Sequence, residues 1–157
     1  MTAPRYGVCT PAEMADLTGL EFLQAMIDGR LPSPPMAETL GFRLVEVEKG
    51  RALFEGEPGP RLLNPLGSVH GGWALTLIDS AAGCALHSEL HAGTGYTTVE
   101  TKVNFTRPIP AEGGTVRCEG RVLSHGRQIG TAEARILSAE GKILAHGTST
   151  LIILAPR

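Results

Sequence analysis

The stretch NPLGSVHGGWALTLIDSAAG, residues 64–83, decides the fold of this chain. One histidine and two glycines at 70–72 come directly before a run of apolar and small residues, which contains a single carboxylate, Asp79. The run is apolar on nearly every side of a helix, which predicts a helix over residues 70–87 that is covered all round. A sheet covers only one side of such a helix. We therefore expect a second copy of the protein to cover the rest, through the small residues Ala81, Ala82, Gly83 and Ala85.

Strand-like segments lie on both sides of this helix. FRLVEVEKGRALFEGE, residues 42–57, has two β-rich halves around Lys49-Gly50, which predicts a hairpin. Four further segments joined by short turns follow the helix and predict an antiparallel meander. Alternation in the first of them predicts one shared face for Thr97, Val99, Thr101, Val103 and Phe105. The predicted fold class is α+β, with one antiparallel sheet and a long helix on one of its faces.

The first 35 residues differ from the rest of the chain. TGLEFLQAMIDG, residues 18–29, has apolar residues at helical spacing, and LPSPP at 31–35 stops the helix. We expect an N-terminal helical extension with a proline-rich connector over residues 1–35 and one main domain over residues 36–157. The helix either packs on the main domain or forms a lid over a ligand pocket.

Composition narrows the function classes. The 157 residues are 42% apolar with a formal net charge of −2 and no charged block, which argues against a dedicated nucleic-acid surface. Three widely spaced cysteines, Cys9, Cys84 and Cys118, argue against a disulfide framework and favour a cytoplasmic location. The N-terminal residues lack the apolar core of a signal peptide, and no run approaches the roughly 18 apolar residues of a membrane span. We expect a cytoplasmic protein without nucleic-acid or membrane partners.

The residues around 70–79 suggest chemistry at a carbonyl group. Backbone N–H groups in the first turn of a helix lack intrahelical partners, and glycines such as Gly71 and Gly72 let a ligand approach them closely. Such groups polarise a carbonyl oxygen or stabilise an oxyanion. Asp79 lies about 12 Å further along the helix, at roughly 1.5 Å per residue, so it cannot reach a carbonyl at its own Gly71. Two antiparallel helices across a dimer would bring Asp79 of one copy to Gly71 of the other, as a general base on water or as a nucleophile.

The pattern N-x-x-G-x-x-H-G-G, with an aspartate eight residues after Gly71, resembles the hotdog-fold acyl-CoA thioesterases. The most similar group is the phenylacetate-degradation (PaaI-like) group of the 4-hydroxybenzoyl-CoA thioesterase superfamily. The resemblance covers about residues 36–154 and includes the strand TTVETKVNFTRPI. It implies a long central helix wrapped by an antiparallel sheet, assembly as a homodimer or as a homotetramer made of two dimers, and hydrolysis of an acyl-CoA thioester. No cofactor is expected, because coenzyme A is part of the substrate.

The resemblance also implies roles for individual residues. The backbone N–H of Gly71 would bind the thioester carbonyl, and Asp79 of the opposite subunit would be the general base or nucleophile. Asn64 would orient the water or the thioester, unless it is only a turn residue before a proline. His70 would shape the loop and form a hydrogen bond near the substrate, and Thr98 would help to hold the water.

Other residues are candidates for substrate contact. Gly72 lies beside the expected carbonyl site, and Trp73 either lines an apolar acyl pocket or fills the core. Phosphates of coenzyme A need cations, for which the candidates are Lys102, Arg107 and Arg127. Gly83 stands one turn after Asp79, where related enzymes can have a polar residue.

Three function classes fit these residues. The first is a thioesterase for an aryl or medium-chain acyl-CoA. A non-catalytic acyl-CoA-binding module on the same fold is the alternative, and a hydratase is disfavoured because the expected Asp–His pair is missing. His87 and His91 have a spacing that suits a metal, but no H-E-x-x-H motif and no third ligand accompany them, so no metal site is predicted.

Overall fold

A computed structural model describes residues 5–155. The outermost residues of the two predicted regions, 1–4 and 156–157, lie outside the described residues. The described helices and strands, in chain order, are α1 Pro11–Met14, α2 Gly19–Ile27, α3 Pro35–Leu40, β1 Phe42–Glu48, β2 Arg51–Gly56, a 3₁₀ turn at Pro60–Leu62, α4 Gly71–His87, β3 Gly95–Phe105, β4 Val116–His125, β5 Ile129–Leu137 and β6 Ile143–Leu154. No helix among them is both long and apolar enough to cross a membrane.

The six strands form one antiparallel sheet in the order β1-β2-β4-β5-β6-β3. The predicted hairpin at Lys49-Gly50 is confirmed, with Gly50 at φ 76° in the left-handed region that the turn requires. The predicted meander is correct only for β4, β5 and β6. Strand β3 instead pairs with β6 at the far edge of the sheet. The chain then crosses back, and β4 pairs with β2 of the hairpin.

Helix α4 packs along the inner face of this sheet. Its buried side chains form the centre of the core together with inward-facing residues of β2, β4, β5 and β6. Strand and helix approach closely at Gly120, where a Cβ atom would lie 2.1 Å from the carbonyl oxygen of Ala81. The prediction of an α+β fold with a long helix against an antiparallel sheet is therefore confirmed.

The N-terminal segment packs on the C-terminal end of α4. Thr18 caps α2, accepting a hydrogen bond from the Glu21 backbone N–H, while the Glu21 carboxylate accepts one from the Thr18 backbone N–H. The Gly19 N–H donates to the Leu90 carbonyl at 3.0 Å, and a Cβ at position 19 would lie 1.7 Å from the His87 carbonyl oxygen. Of the two predicted placements of this helix, the structure shows packing on the main domain.

One prediction about the strand faces is wrong. The register of β3 against β6 shifts between Thr98 and Glu100, so Val99 is an extra residue in a β-bulge. Inward-facing residues are therefore Tyr96 and Thr98 before the bulge, and Thr101, Val103 and Phe105 after it. Val99 is 57% exposed, and Thr97 is also exposed, rather than sharing the face of Thr101.

Candidate active site

Asp79 lies on α4 beside β3, an edge strand of the sheet. Its side chain is half-buried, and its Oδ1 atom accepts hydrogen bonds from the Thr98 and Thr101 hydroxyls, each at 3.0 Å. Within residues 5–155, Oδ2 accepts no hydrogen bond. The carboxylate is thus fixed by one oxygen, and the other is available to a water molecule or a substrate.

The bulge at Val99 explains how two threonines reach one carboxylate oxygen. Residues three apart on a regular strand point to opposite faces, but the extra residue returns Thr101 to the face of Thr98. The Thr101 hydroxyl also lies 3.0 Å from the Ser149 hydroxyl of β6, which is almost fully buried. The sequence predicts a site role for Thr98, as a residue that helps to hold water, but none for Thr101, because strand alternation places the two on opposite faces.

Gly71 is the first residue of α4. Its backbone N–H has no hydrogen-bond partner among the described residues, as expected for the first turn of a helix. The ring of Phe105, 58% exposed, lies against this residue, and a Cβ atom at position 71 would be 3.0 Å from the ring atom Cζ. The Gly71 N–H therefore lies in a narrow space beside the exposed ring of Phe105.

His70 caps this helix. Its Nδ1 atom accepts a hydrogen bond from the Gly72 N–H at 2.9 Å, so the neutral imidazole carries its proton on Nε2. This bond also occupies the Gly72 N–H, so Gly72, a predicted substrate-contact residue, has its backbone donor already bound within this chain. The geometry gives His70 the loop-shaping role that the resemblance implies.

Asn64 holds the loop that leads to the helix. Its side-chain oxygen accepts hydrogen bonds from the Leu66 N–H at 2.9 Å and the Ser68 N–H at 3.1 Å. The Asn64 N–H donates to the Ser68 carbonyl at 2.7 Å. Of the two interpretations of Asn64, the structure favours the turn residue, because its carbonyl group is already bound within the loop.

Gly71 and Asp79 are not brought together within one chain. They lie two helical turns apart on α4, about 12 Å at 1.5 Å per residue. Two depressions on the described surface, of about 170 and 250 Å³, contain neither residue in their walls. The two candidate groups thus share one side of α4, and neither of these two depressions joins them.

Similarity to known proteins bears on this arrangement. The sequence model of the family described as Thioesterase superfamily matches residues 66–145, 80 of the 157 residues. This chain belongs to the thioesterase superfamily. The matched region includes α4 and β3, and so contains Gly71, Asp79, Thr98 and Thr101.

Individual superfamily relatives add detail. A phenylacetic acid degradation-related protein from Ralstonia eutropha JMP134 has 27% identity and a TM-score of 0.76, covering 83% of this chain and 98% of that one. The smu.793 protein from Streptococcus mutans UA159, solved with bound acetyl CoA, has 25% identity and a TM-score of 0.67, covering 74% and 91%. A 1,4-dihydroxy-2-naphthoyl-CoA hydrolase from Listeria monocytogenes is 38% identical over 47 residues, 30% of this chain and 38% of the relative. The chain aligns with less than half the length of the curated relatives it matches. The predicted hotdog fold and the resemblance to the phenylacetate-degradation group are confirmed.

Trp73 does not lie at the candidate site of this superfamily member. Its side chain is 3% exposed, packs against Gly56, and donates its indole N–H to the Leu40 carbonyl at 2.8 Å. Of the two interpretations of Trp73, the structure favours the core residue over the wall of an acyl pocket.

The three candidate cations are spread over the sheet. Arg107 follows β3 near Gly71, but its guanidinium donates to the Ile143 carbonyl at 2.7 Å. Arg127 lies in the β4–β5 turn at the other end of the strands, and Lys102 is exposed in the middle of β3. These three candidates therefore do not form one cluster within a single copy.

Gly83 lies beside an aromatic side chain that the sequence did not associate with it. A Cβ atom at this position would be 2.7 Å from the Tyr96 hydroxyl oxygen and 2.9 Å from its ring. The thiol of Cys84 lies next to the same phenol, and burial raises the pKa of Cys84 to about 12 and that of Tyr96 well above its usual value. Both groups are thus neutral at physiological pH, and neither is an activated nucleophile.

Proposed function

We propose that this protein is an acyl-CoA thioesterase, which hydrolyses an aryl- or medium-chain acyl-CoA to the free acid and coenzyme A. The observation that carries the proposal is the Asp79 carboxylate, held at Oδ1 by two hydroxyls and open at Oδ2. A fixed carboxylate with one open oxygen can take a proton from water or attack a carbonyl carbon. The superfamily membership and the CoA thioester chemistry named in the relatives support the substrate class.

In the proposed reaction, the Gly71 N–H donates to the thioester oxygen and stabilises the charge that develops there. Water adds to the carbonyl carbon as Asp79 takes its proton, and the carbon–sulfur bond then breaks to release the thiolate of coenzyme A. Thr98 and Thr101 position the carboxylate. His70 and Asn64 position the Gly71 donor, through the helix cap and the loop that they hold.

The proposed active site needs two copies of the chain. Asp79 and Gly71 are too far apart on one helix to act on one carbonyl. A two-fold axis that places two α4 helices antiparallel would bring Asp79 of each copy to Gly71 of the other. Strand β3 is an edge strand of 11 residues, and large apolar residues are exposed on it and on α4: Val99 and Phe105 on β3, and Leu75 on α4. An exposed edge strand and exposed apolar side chains are what such an interface would cover.

The same arrangement gives Arg127 a place in substrate binding. In antiparallel pairing, the end of the sheet that carries Arg127 in one copy lies near Gly71 of the other. Arg107 of one copy and Arg127 of the other would then approach the same coenzyme A phosphates. Lys102, in the middle of β3, lies between them.

The test of the activity compares wild type with Asp79→Asn, and uses Asp16→Asn, an exposed aspartate of the N-terminal segment, as the matched control. Release of free thiol is measured on aryl and straight-chain acyl-CoAs. We expect Asp79→Asn to lose about 10²- to 10⁴-fold in kcat, and the control to keep wild-type activity. No thiol release by the wild type, with CoA thioesters still bound, would instead favour the non-catalytic binding module.

Complementation tests the shared site. Gly71→Pro removes the backbone donor, and Asp79→Asn removes the carboxylate, so each variant alone is expected to be inactive. Refolding an equal mixture should restore about a quarter of wild-type activity, since random pairing makes half of the dimers mixed and each mixed dimer keeps one complete site. No recovery in mixed dimers of confirmed composition would contradict the two-copy site.

A further inference from the structure

The uncovered side of α4 narrows after residue 80. Exposed or half-buried residues follow one side of the helix in its first two and a half turns, namely Gly72, Leu75, Thr76, Asp79 and Ser80. One turn further on, Gly83 is buried, because the Tyr96 side chain lies directly over it, while the neighbouring Cys84 is half-buried. We call these five residues the open side of α4.

The rings of Tyr96, His87 and Phe22 pack side by side near the C-terminal end of α4. The centroids of Tyr96 and His87 are 5.4 Å apart, and those of His87 and Phe22 are also 5.4 Å apart, with both pairs tilted. Phe22 belongs to α2, so the N-terminal extension backs the row from outside. Tyr96 is therefore backed by two further rings on the side away from Gly83.

Tyr96 is also a close neighbour of the candidate catalytic group. It lies two residues before Thr98 on the inward face of β3, and Thr98 donates to Asp79. In the proposed reaction the carbonyl group lies next to the water that Asp79 Oδ2 activates, so we expect the acyl group to begin beside this wall. An uncharged, tightly packed wall suits an apolar acyl group and does not suit the phosphates of coenzyme A.

We propose that Tyr96, backed by His87 and Phe22, is the specificity-determining residue that limits the length of the acyl group accepted next to Asp79. This inference rests on the proposed thioesterase function and adds to it the residue that selects among its substrates. The N-terminal helix α2 takes part by holding the ring in place, and does not act as a lid.

The test measures the acyl-length limit in Tyr96 variants. Affinities of non-hydrolysable S-alkyl-CoA thioethers and kcat/KM for straight-chain acyl-CoAs from acetyl to palmitoyl are compared in wild type, Tyr96→Ala and Tyr96→Phe. We expect Tyr96→Ala to accept longer chains, with an affinity gain of about fourfold for each further methylene group that it buries. Tyr96→Phe keeps the ring and should keep the wild-type limit.

The matched control is Tyr6→Ala, which removes the other tyrosine of the chain, far from Asp79 in the sequence and on the N-terminal segment. Tyr96→Leu, shorter than tyrosine but still apolar against His87, serves if Tyr96→Ala does not fold. A folded Tyr96→Ala or Tyr96→Leu protein with an unchanged length limit would overturn the proposal. An equal shift in Tyr96→Phe would also overturn it.

The thioether affinities separate this proposal from the thioesterase function. If the wild type binds thioethers with a length limit set by Tyr96 but releases no thiol, the role of Tyr96 is supported and the thioesterase activity is refuted. If the wild type hydrolyses thioesters and the length limit is unchanged in the Tyr96 variants, the thioesterase activity is supported and the role of Tyr96 is refuted.

Discussion

The Thr98 hydroxyl donates to Asp79 Oδ1 at 3.0 Å, from a strand that begins eight residues after the helix that carries the aspartate. Thr101 donates to the same oxygen at the same distance, through the bulge at Val99. The carboxylate is therefore oriented by β3, the edge strand, and not by α4 alone. An interface formed along β3 would therefore affect the orientation of the Asp79 carboxylate.

Removal of either hydroxyl should slow turnover. We expect Thr98→Val and Thr101→Val each to lower kcat by about 10- to 100-fold, because a hydrogen bond to a charged group contributes roughly 1.5–3 kcal/mol. Thr→Ser at either position should restore most of the activity. Because both hydroxyls act on one oxygen, the double variant should lose less than the product of the two single losses. Thr148→Val, at an exposed position of β6, is the control and should leave kcat unchanged.

The Gly71 donor can be removed without breaking the helix. Proline is favoured at the first position of a helix, and His70 has the extended backbone, φ −63° and ψ 132°, that a following proline requires. We expect Gly71→Pro to lower kcat by about 10²- to 10³-fold. Gly71→Ala keeps the N–H and makes the same Cβ contact with Phe105, so it should lose much less. Equal losses in the two variants would assign the effect to crowding against Phe105.

Substitution of His70 separates a capping role from a catalytic one. His70→Ala removes the acceptor for the Gly72 N–H, and should cost about 1 kcal/mol in the free energy of unfolding. His70→Asn provides another favoured capping side chain, and should keep both stability and most of the activity. Urea unfolding and thiol release are measured on the same preparations. A stable but inactive His70→Asn protein would point to direct participation of the imidazole.

Trp73 should affect stability and not substrate binding. We expect Trp73→Phe to lower the free energy of unfolding by about 1–3 kcal/mol, because the Leu40 carbonyl loses its donor and the core loses volume. The KM for aryl-CoA substrates should stay at the wild-type value. A raised KM at unchanged stability would return Trp73 to the acyl pocket.

His87 should make the protein acid-sensitive. Burial lowers its pKa from 6.5 to about 4, so between these values the unfolded chain binds a proton that the folded chain does not. Its contribution to stability is complete above pH 6.5 and is lost as the pH falls, by about 2 kcal/mol at pH 5. His87→Phe keeps a ring between Phe22 and Tyr96 and should show a smaller loss between pH 7 and about pH 5. Equal losses of unfolding free energy in both proteins would contradict this assignment.

The sequence predicts the local features of this fold well. The long helix, the hairpin at Lys49-Gly50 and the later strands follow from apolar periodicity and turn residues, which are properties of neighbouring residues. The position of β3 beyond β6 depends on pairing between distant segments, and alternation does not encode it. The bulge at Val99 is similarly a product of pairing with β6, and for this reason Thr101 was missed.

The candidate site follows the same division. Gly71 and Asp79 are recognisable from a short motif and its spacing. The hydrogen-bond partners of Asn64 and His70 are not recognisable in this way. Both side chains make local backbone hydrogen bonds that any turn or cap residue could make. The contact of Tyr96 with Gly83 joins residues on different elements, and only the folded chain shows it.

The contact of Gly19 with the end of α4 has a consequence for how this protein evolved. A side chain at position 19 would overlap the His87 carbonyl, so no residue but glycine fits there while α2 keeps its place. A change that adds a side chain at position 19 would require α2 or the end of α4 to move, so sequence drift at one of these segments is restricted by the other. Homologues with a bulkier residue at the equivalent of position 19 should therefore carry their N-terminal helix elsewhere.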